Sequence, residues 1–225
     1  METVASIGPF TGFPPGAFGF FADLQRPGSN DRAWFDANRQ RYEQDVRLPL
    51  EALLALAADE FGDGKVFRPH RDVRFSPDKR PYKDHAGAVI AFRDGTDRPS
   101  YYVQVAADGL MAATGYQEVS RDQLQRYREA VLDPRSGPAL SRAVNAARRS
   151  DLEVGGRTLT RGPRGVDRDH PRIELLCHTS LTVARRWPVA AWMHEPAAAE
   201  RVFDVWREGG AIGRWLARHV GAPRQ

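Results

Sequence analysis

Lysine is rare in this chain, and where it occurs gives the first clue to chemistry. Of 33 basic residues only three are lysines, Lys65, Lys79 and Lys83, and all fall in one short stretch. An ammonium is a compact point charge with a readily shifted pKa, whereas a guanidinium is a planar fork that stays charged. Either something in this stretch requires an ammonium, or three lysines have fallen together by chance. The same stretch holds seven Lys or Arg against Asp72 and Asp78, a balance of +5 in a chain whose total is +4. Arg68 and Arg74, with Lys79 and Lys83 from the loop that follows, can converge on a phosphate or carboxylate. Such charge-assisted bonds are about twice as strong as neutral ones. Arg71 is a further clamp, and Tyr82 adds a hydroxyl or a stacking surface. In a catalytic reading, Lys79 and Lys83 stabilise developing charge and Asp72 or His170 serves as the acid/base. In the opposing structural reading, Asp72 and Asp78 merely pair with neighbouring arginines at an exposed edge, where each pair is worth about 0 to 1 kcal/mol.

A second candidate is the loop Gly162-Pro163-Arg164-Gly165, continuing to Asp169-His170-Pro171. It is basic and is expected to run into a helix N-terminus, where backbone N–H groups and the helix dipole favour anions. No Lys-Ser or Lys-Thr follows the glycines, so it is not a P-loop. An ordinary turn with His170 capping the helix accounts for it equally well. Glu174, one helical turn on, is either an acid for the site or a solvated first-turn carboxylate. His70 and Asp72 have the spacing of metal ligands, with His85, Asp169 and His170 able to complete a shell. The surrounding cations and the lack of an H-E-x-x-H or cysteine pair argue against a metal. No metal is assigned and no cofactor is implied. Cys177, beside Leu175 and Leu176, reads as buried rather than nucleophilic.

With 225 residues and 41% hydrophobic side chains, the chain can bury a full core. One domain over residues 1–225 is expected, with a poorly ordered start over about residues 1–14. The arginine excess comes with abundant Ala, Gly and Pro and fits a base-composition bias as well as a polyanionic partner. An anionic small molecule is the first expectation for a ligand. Nucleic acid without catalysis is the second, and an interaction module with a salt-bridged loop the third. No motif specifies a reaction, and none bears on oligomeric state. A single cysteine excludes an intrachain disulfide and suits a reducing compartment. Met1-Glu2-Thr3-Val4 has no basic, then apolar, leader pattern, and no stretch is long enough to span a bilayer. A cytoplasmic protein with no membrane partner is expected.

The elements that must position these residues follow from periodicity. Ala17–Leu24 predicts a short apolar helix ended by Pro27-Gly28, and Asn30 an N-cap for a second helix carrying Trp34, Asn38 and Tyr42 on one face. Pro49 should kink or restart it before Leu50, Leu53, Leu54 and Ala57. From Lys65 the period becomes two, predicting a strand with Phe67, Val73 and Phe75 on a core face and His70, Asp72 and Arg74 on a charged one. Ala88–Phe92, Tyr101–Val105 and Leu110–Thr114, the last two joined at Asp108-Gly109, complete a four-strand meander. In a meander, the charged loop and the Asp108-Gly109 turn lie at the same end of the sheet. Ser120 with Gln123 predicts a capping box and a helix, followed by a second helix from about Pro138 to Arg149. A small hairpin is expected around Gly155-Gly156, a helix with Pro171 at its first position, and a short strand at Leu181–Ala184. One or two amphipathic helices broken at Gly209-Gly210 end the chain. The fold class is α+β, an antiparallel sheet of about four strands with helices before and after packed on it.

Three blocks of sequence resemble a known family. They are Asn30-Asp31-Arg32-Ala33-Trp34-Phe35-Asp36-Ala37-Asn38-Arg39 with Tyr42, the run Arg71 to Lys83, and Gly162-Pro163-Arg164-Gly165 with Asp169-His170-Pro171 and Glu174-Leu175-Leu176. Together they are similar to the conserved-hypothetical bacterial and fungal family called domain of unknown function 2461. The likeness covers nearly the whole chain, and its central block is long and specific. Val166 stands where an aromatic is usual. The resemblance implies a single intact domain and brings with it no activity, cofactor or partner.

Overall fold

In the computed structural model, which describes residues 8–92 and 99–223, the strands form one six-stranded antiparallel sheet in the order β1-β2-β3-β4-β6-β5. The expected meander is its first four strands, β1 (Gly64–Val66), β2 (His85–Ala91), β3 (Ser100–Ala106) and β4 (Gly109–Tyr116). Gly109 turns the chain between β3 and β4 at φ +137°, and a side chain there would strike the Trp187 carbonyl. Two further strands extend the sheet, β6 (Leu181–Pro188) beside β4 and β5 (Glu153–Gly155) at the edge. The stretch expected to fold back on itself around Gly155-Gly156 instead pairs with β6, with Val154 opposite Val183. Gly156, at φ +112° against the Ser180 carbonyl, lets the chain stay close enough for Thr158 to bridge His178.

The predicted strand over residues 65–75 is corrected more sharply, because β1 ends at Val66. Pro69 has no N–H to donate to a ladder. The residues assigned to a core face are not buried either, Phe67 being 37% and Phe75 96% exposed. Alternation here reflects a solvated excursion between β1 and β2.

The chain clusters into two compact units. The first comprises the stretch through Ile90, Tyr102–Met111 and Arg186–Phe203. Its helices are α1 (Pro15–Leu24), α2 (Arg32–Ala37), α3 (Arg39–Arg41), a π-helical turn (Tyr42–Arg47) and α4 (Leu48–Phe61). Phe20 meets Phe21, Trp34, Phe35 and Tyr42 at centroid distances of 5.3–5.9 Å, an aromatic cluster at the centre of this core. The π-helical turn ends just before Pro49, so the ring falls where the helix has already departed from i→i−4 bonding. Asp31, not Asn30, caps α2 by accepting the Trp34 N–H at 2.8 Å. Of the start expected to be poorly ordered, residues 1–7 lie outside the described residues. Phe13 is fully buried and donates its N–H to the Met193 carbonyl at 2.7 Å.

The second unit comprises Ala91–Tyr101, Ala112–Arg185 and the stretch from Asp204. It contains α5 (Arg121–Leu132), opened by the expected Ser120/Gln123 capping box, and α6 (Ser136–Arg149). The short α7 (Ile173–Cys177) leaves Pro171 outside the helix, in the preceding turn. The tail is a single 22-residue helix, α8 (Ala198–His219), with no break at Gly209-Gly210. Those glycines serve packing. A Cβ on Gly209 would sit 2.7 Å from Thr114 Cβ, and one on Gly213 would strike the Phe92 ring. No helix among the described residues is long and apolar enough to cross a membrane.

Candidate functional site

Beyond the sheet, the β1–β2 pairing continues as an irregular hairpin. Phe67 N–H reaches the Gly87 carbonyl at 2.8 Å, Lys83 N–H the Pro69 carbonyl at 2.9 Å, and Arg71 N–H the Pro81 carbonyl at 2.8 Å. Val66 faces Ala88, and further out His70 faces Tyr82. Between these two pairs, three residues on the outgoing arm (67–69) oppose five on the returning one (83–87). The surplus makes a bulge around Asp84-His85, and bulges re-aim side chains. Asn30 fastens the returning arm. Its side-chain amide accepts the Tyr82 N–H at 3.1 Å and donates to the Tyr82 carbonyl at 3.2 Å, pairing with that residue as a strand would. The Tyr82 ring, only 3% exposed, stacks on Phe35 with centroids 4.0 Å apart and planes 8° apart.

These constraints shape an open recess of about 270 Å³ lined by Arg71, Arg80, Lys83, Asp78, Asp84 and His85, with Asn30 and Tyr82. Three cations against two carboxylates leave it a surplus of positive charge. Asp78 sits between the two guanidiniums. Arg80 Nη2 donates to it at 2.7 Å and Arg71 Nη1 at 2.6 Å, and the Arg80 Nε and backbone N–H add further contacts at 3.0 Å. The Arg80 side chain, then Arg71, then the Arg80 backbone hold its carboxyl well below the ordinary carboxylate range. Lys83 is different. Its Nζ donates to the Arg68 carbonyl at 3.1 Å and lies 5.3 Å from the Phe67 ring centroid, and no carboxylate among the described residues pairs with it. Burial, then the Arg68 charge, pulls its pKa below that of a free lysine. His85 directs Nδ1 to Asp84 Oδ1 at 2.7 Å.

The Asp78 carboxylate makes acid stability testable. A carboxyl whose pKa falls on folding stabilises the fold above its unfolded pKa of about 3.9 and loses that contribution as pH drops towards the folded value. The difference in urea midpoint between wild type and Asp78→Asn should be constant from about pH 7 to about pH 5 and shrink below about pH 4. An unchanged difference down to about pH 2.5 would refute the pairing.

Not every expected site residue reaches this recess. Asp72 is exposed and held by Arg74, whose Nη2 donates to it at 2.6 Å. The Arg74 side chain, then its backbone N–H, keeps the Asp72 carboxyl below its usual range, which ill suits a base. Lys79 bonds the Val73 carbonyl at 3.1 Å and lies outside the lining, as do the exposed Arg68 and Arg74. His170, Arg164 and Glu174 belong to the second unit. There His170 Nδ1 accepts the Arg172 N–H at 3.1 Å, Arg164 sits in an exposed turn, and Glu174 pairs with Arg148. With α7 only five residues long and Pro171 outside it, little aligned helix dipole stands behind the anion site expected at a helix start. Asn38, on the expected helix face, donates its side-chain amide to the Trp34 carbonyl at 2.9 Å. Among the described residues no three His, Cys, Asp or Glu gather as a metal shell would require. Asn30, Asp84, His85 and Arg80 line the recess without having been singled out for it.

Two of the recognisable sequence blocks thus meet in space, Asn30 and Phe35 of the first supporting Tyr82 of the second. A family model described as conserved hypothetical protein (DUF2461) matches residues 16–215. The chain belongs to this family. No curated protein matches it. In this DUF2461 member the long central block is therefore the arm of a hairpin that both fastens itself to α2 and lines the recess.

Proposed function

We propose that the recess binds a small anionic group, a phosphate or carboxylate borne by a metabolite, with Lys83, Arg71 and Arg80 as its cationic contacts. Lys83 carries this reading. Its ammonium is drawn partly out of water beside a second cation and has a carbonyl but no carboxylate for a partner. A bound anion supplies the missing counter-charge, through a bond of the charged kind worth about 1.5–3 kcal/mol. Asp78 supports the reading as a spacer that holds two guanidinium forks side by side. A concave space of this size suits a small ligand better than the flat face of a duplex. The protein's single cysteine, unpaired, fits the reducing cytoplasm where we place this activity.

Thermal shift with inorganic phosphate and phosphorylated metabolites tests the reading. A ligand at a hundred times its Kd adds about 2.7 kcal/mol of stability. Lys83→Met is expected to weaken the response by about tenfold or more in Kd. The rival reading, a salt-bridge network that only shapes the hairpin, is favoured by the full pairing of Asp78 and Asp72. It predicts identical responses from wild type and Lys83→Met, and that result would end the anion reading.

A further inference from the structure

Phe75 is 96% exposed at the tip of the hairpin, although the chain buries aromatic rings elsewhere. The large hydrophobic side chains exposed among the described residues include two aromatics, Phe67 and Phe75, and both lie in this one segment. The tip is not frayed. Ser76 N–H returns to the Val73 carbonyl at 3.3 Å, Lys79 Nζ bonds that same carbonyl at 3.1 Å, and the Arg71–Asp78 pair closes the base. Phe75 follows exposed Arg74 in a segment that also exposes Lys79, so a purely apolar partner lying over the tip would cover cations. A planar ring carried by an anion brings a counter-charge into this basic segment, which an apolar partner does not. Asp78, which lines the recess, is three residues from Phe75, a span of at most about 10 Å along the chain.

We infer that the ligand of the recess is a nucleotide, its phosphate at Lys83, Arg71 and Arg80 and its base stacked on Phe75. This rests on the anion reading above and adds to it the chemical class of the rest of the ligand. Base stacking on an aromatic side chain tolerates any base, because each has a π-face. The phosphate and base are found alike in a free mononucleotide and in single-stranded nucleic acid.

Calorimetric titration of the full chain with inorganic phosphate, ribose 5-phosphate, adenosine monophosphate and a short oligothymidylate separates the possibilities. Adenosine monophosphate is expected to bind at least about fivefold tighter than ribose 5-phosphate. Phe75→Ala should erase that advantage while leaving ribose 5-phosphate affinity intact, and Phe75→Trp should restore it. An oligothymidylate that binds tighter still, with the same Phe75 dependence, identifies single-stranded nucleic acid as the source; one that binds no tighter identifies the mononucleotide. Equal binding of the nucleotide and the sugar phosphate, or an advantage that survives Phe75→Ala, overturns the inference and leaves the recess as an anion site. If none of the probes binds, the anion reading itself fails and this inference with it.

Discussion

Asn30→Leu is expected to destabilise the protein by about 2–4 kcal/mol, because it leaves the N–H and carbonyl of Tyr82 without partners and each such group costs about 1–3 kcal/mol. The leucine keeps the approximate volume of the side chain and removes only its polar ends. Urea unfolding reads the stability, and titration with phosphate reads the site. Both should fall together, since Asn30, just before α2, hydrogen-bonds the arm that carries Lys83. A loss under about 1 kcal/mol would mean that water takes over both bonds, and the hairpin would then have to be held by ring packing alone.

Phe35→Ala carries the second large effect. Phe35 is 1% exposed, lies flat beneath Tyr82 and touches Phe20 and Tyr42 at 5.9 and 5.3 Å. Truncating a buried phenylalanine costs about 3–5 kcal/mol, and the cavity opens directly under the hairpin arm. Phe35→Leu is the informative companion. It should cost about 1.5 kcal/mol or less, keep the fold, and still weaken phosphate binding by removing the flat surface that seats Tyr82. Phe35 itself does not line the recess. Unchanged phosphate affinity in Phe35→Leu would show that Asn30 alone sets the arm.

The local parts of this structure could be read from residue types. The Ser120/Gln123 capping box, the Asp108-Gly109 turn and the last three meander strands each depend on neighbours a few residues apart. The charged run was locatable for a similar reason, because Lys79, Lys83 and their arginines are close in sequence. The failures were contacts between distant residues. Nothing near Asn30 says that its amide will bond a peptide 52 positions on, and as an N-cap it was outcompeted by its neighbour Asp31. The bulge at Asp84-His85 exists only relative to the opposite arm, so a single strand carries no sign of it. Residues 65–75 alternate as a strand would, yet Pro69 and the solvated Phe75 show that alternation alone does not establish a buried face. Gly209-Gly210 reads as a helix break because what those glycines touch lies far away in sequence.

That last feature bears on how the molecule opens. Glycine in a helix interior is about 1 kcal/mol less favourable than alanine, and α8 carries Gly209, Gly210 and Gly213 in close succession. Little in the intrinsic preferences of the segment Gly209 to Gly213 favours a helix. It is helical because Gly209 lies against Thr114 and Val183, and Gly213 against Phe92. Coiling and docking are then a single event, with no helical tail waiting free in solution. Backbone amides around Gly209 to Gly213 should exchange with deuterium only when the second unit opens as a whole, at the slow rate of its best-protected strands.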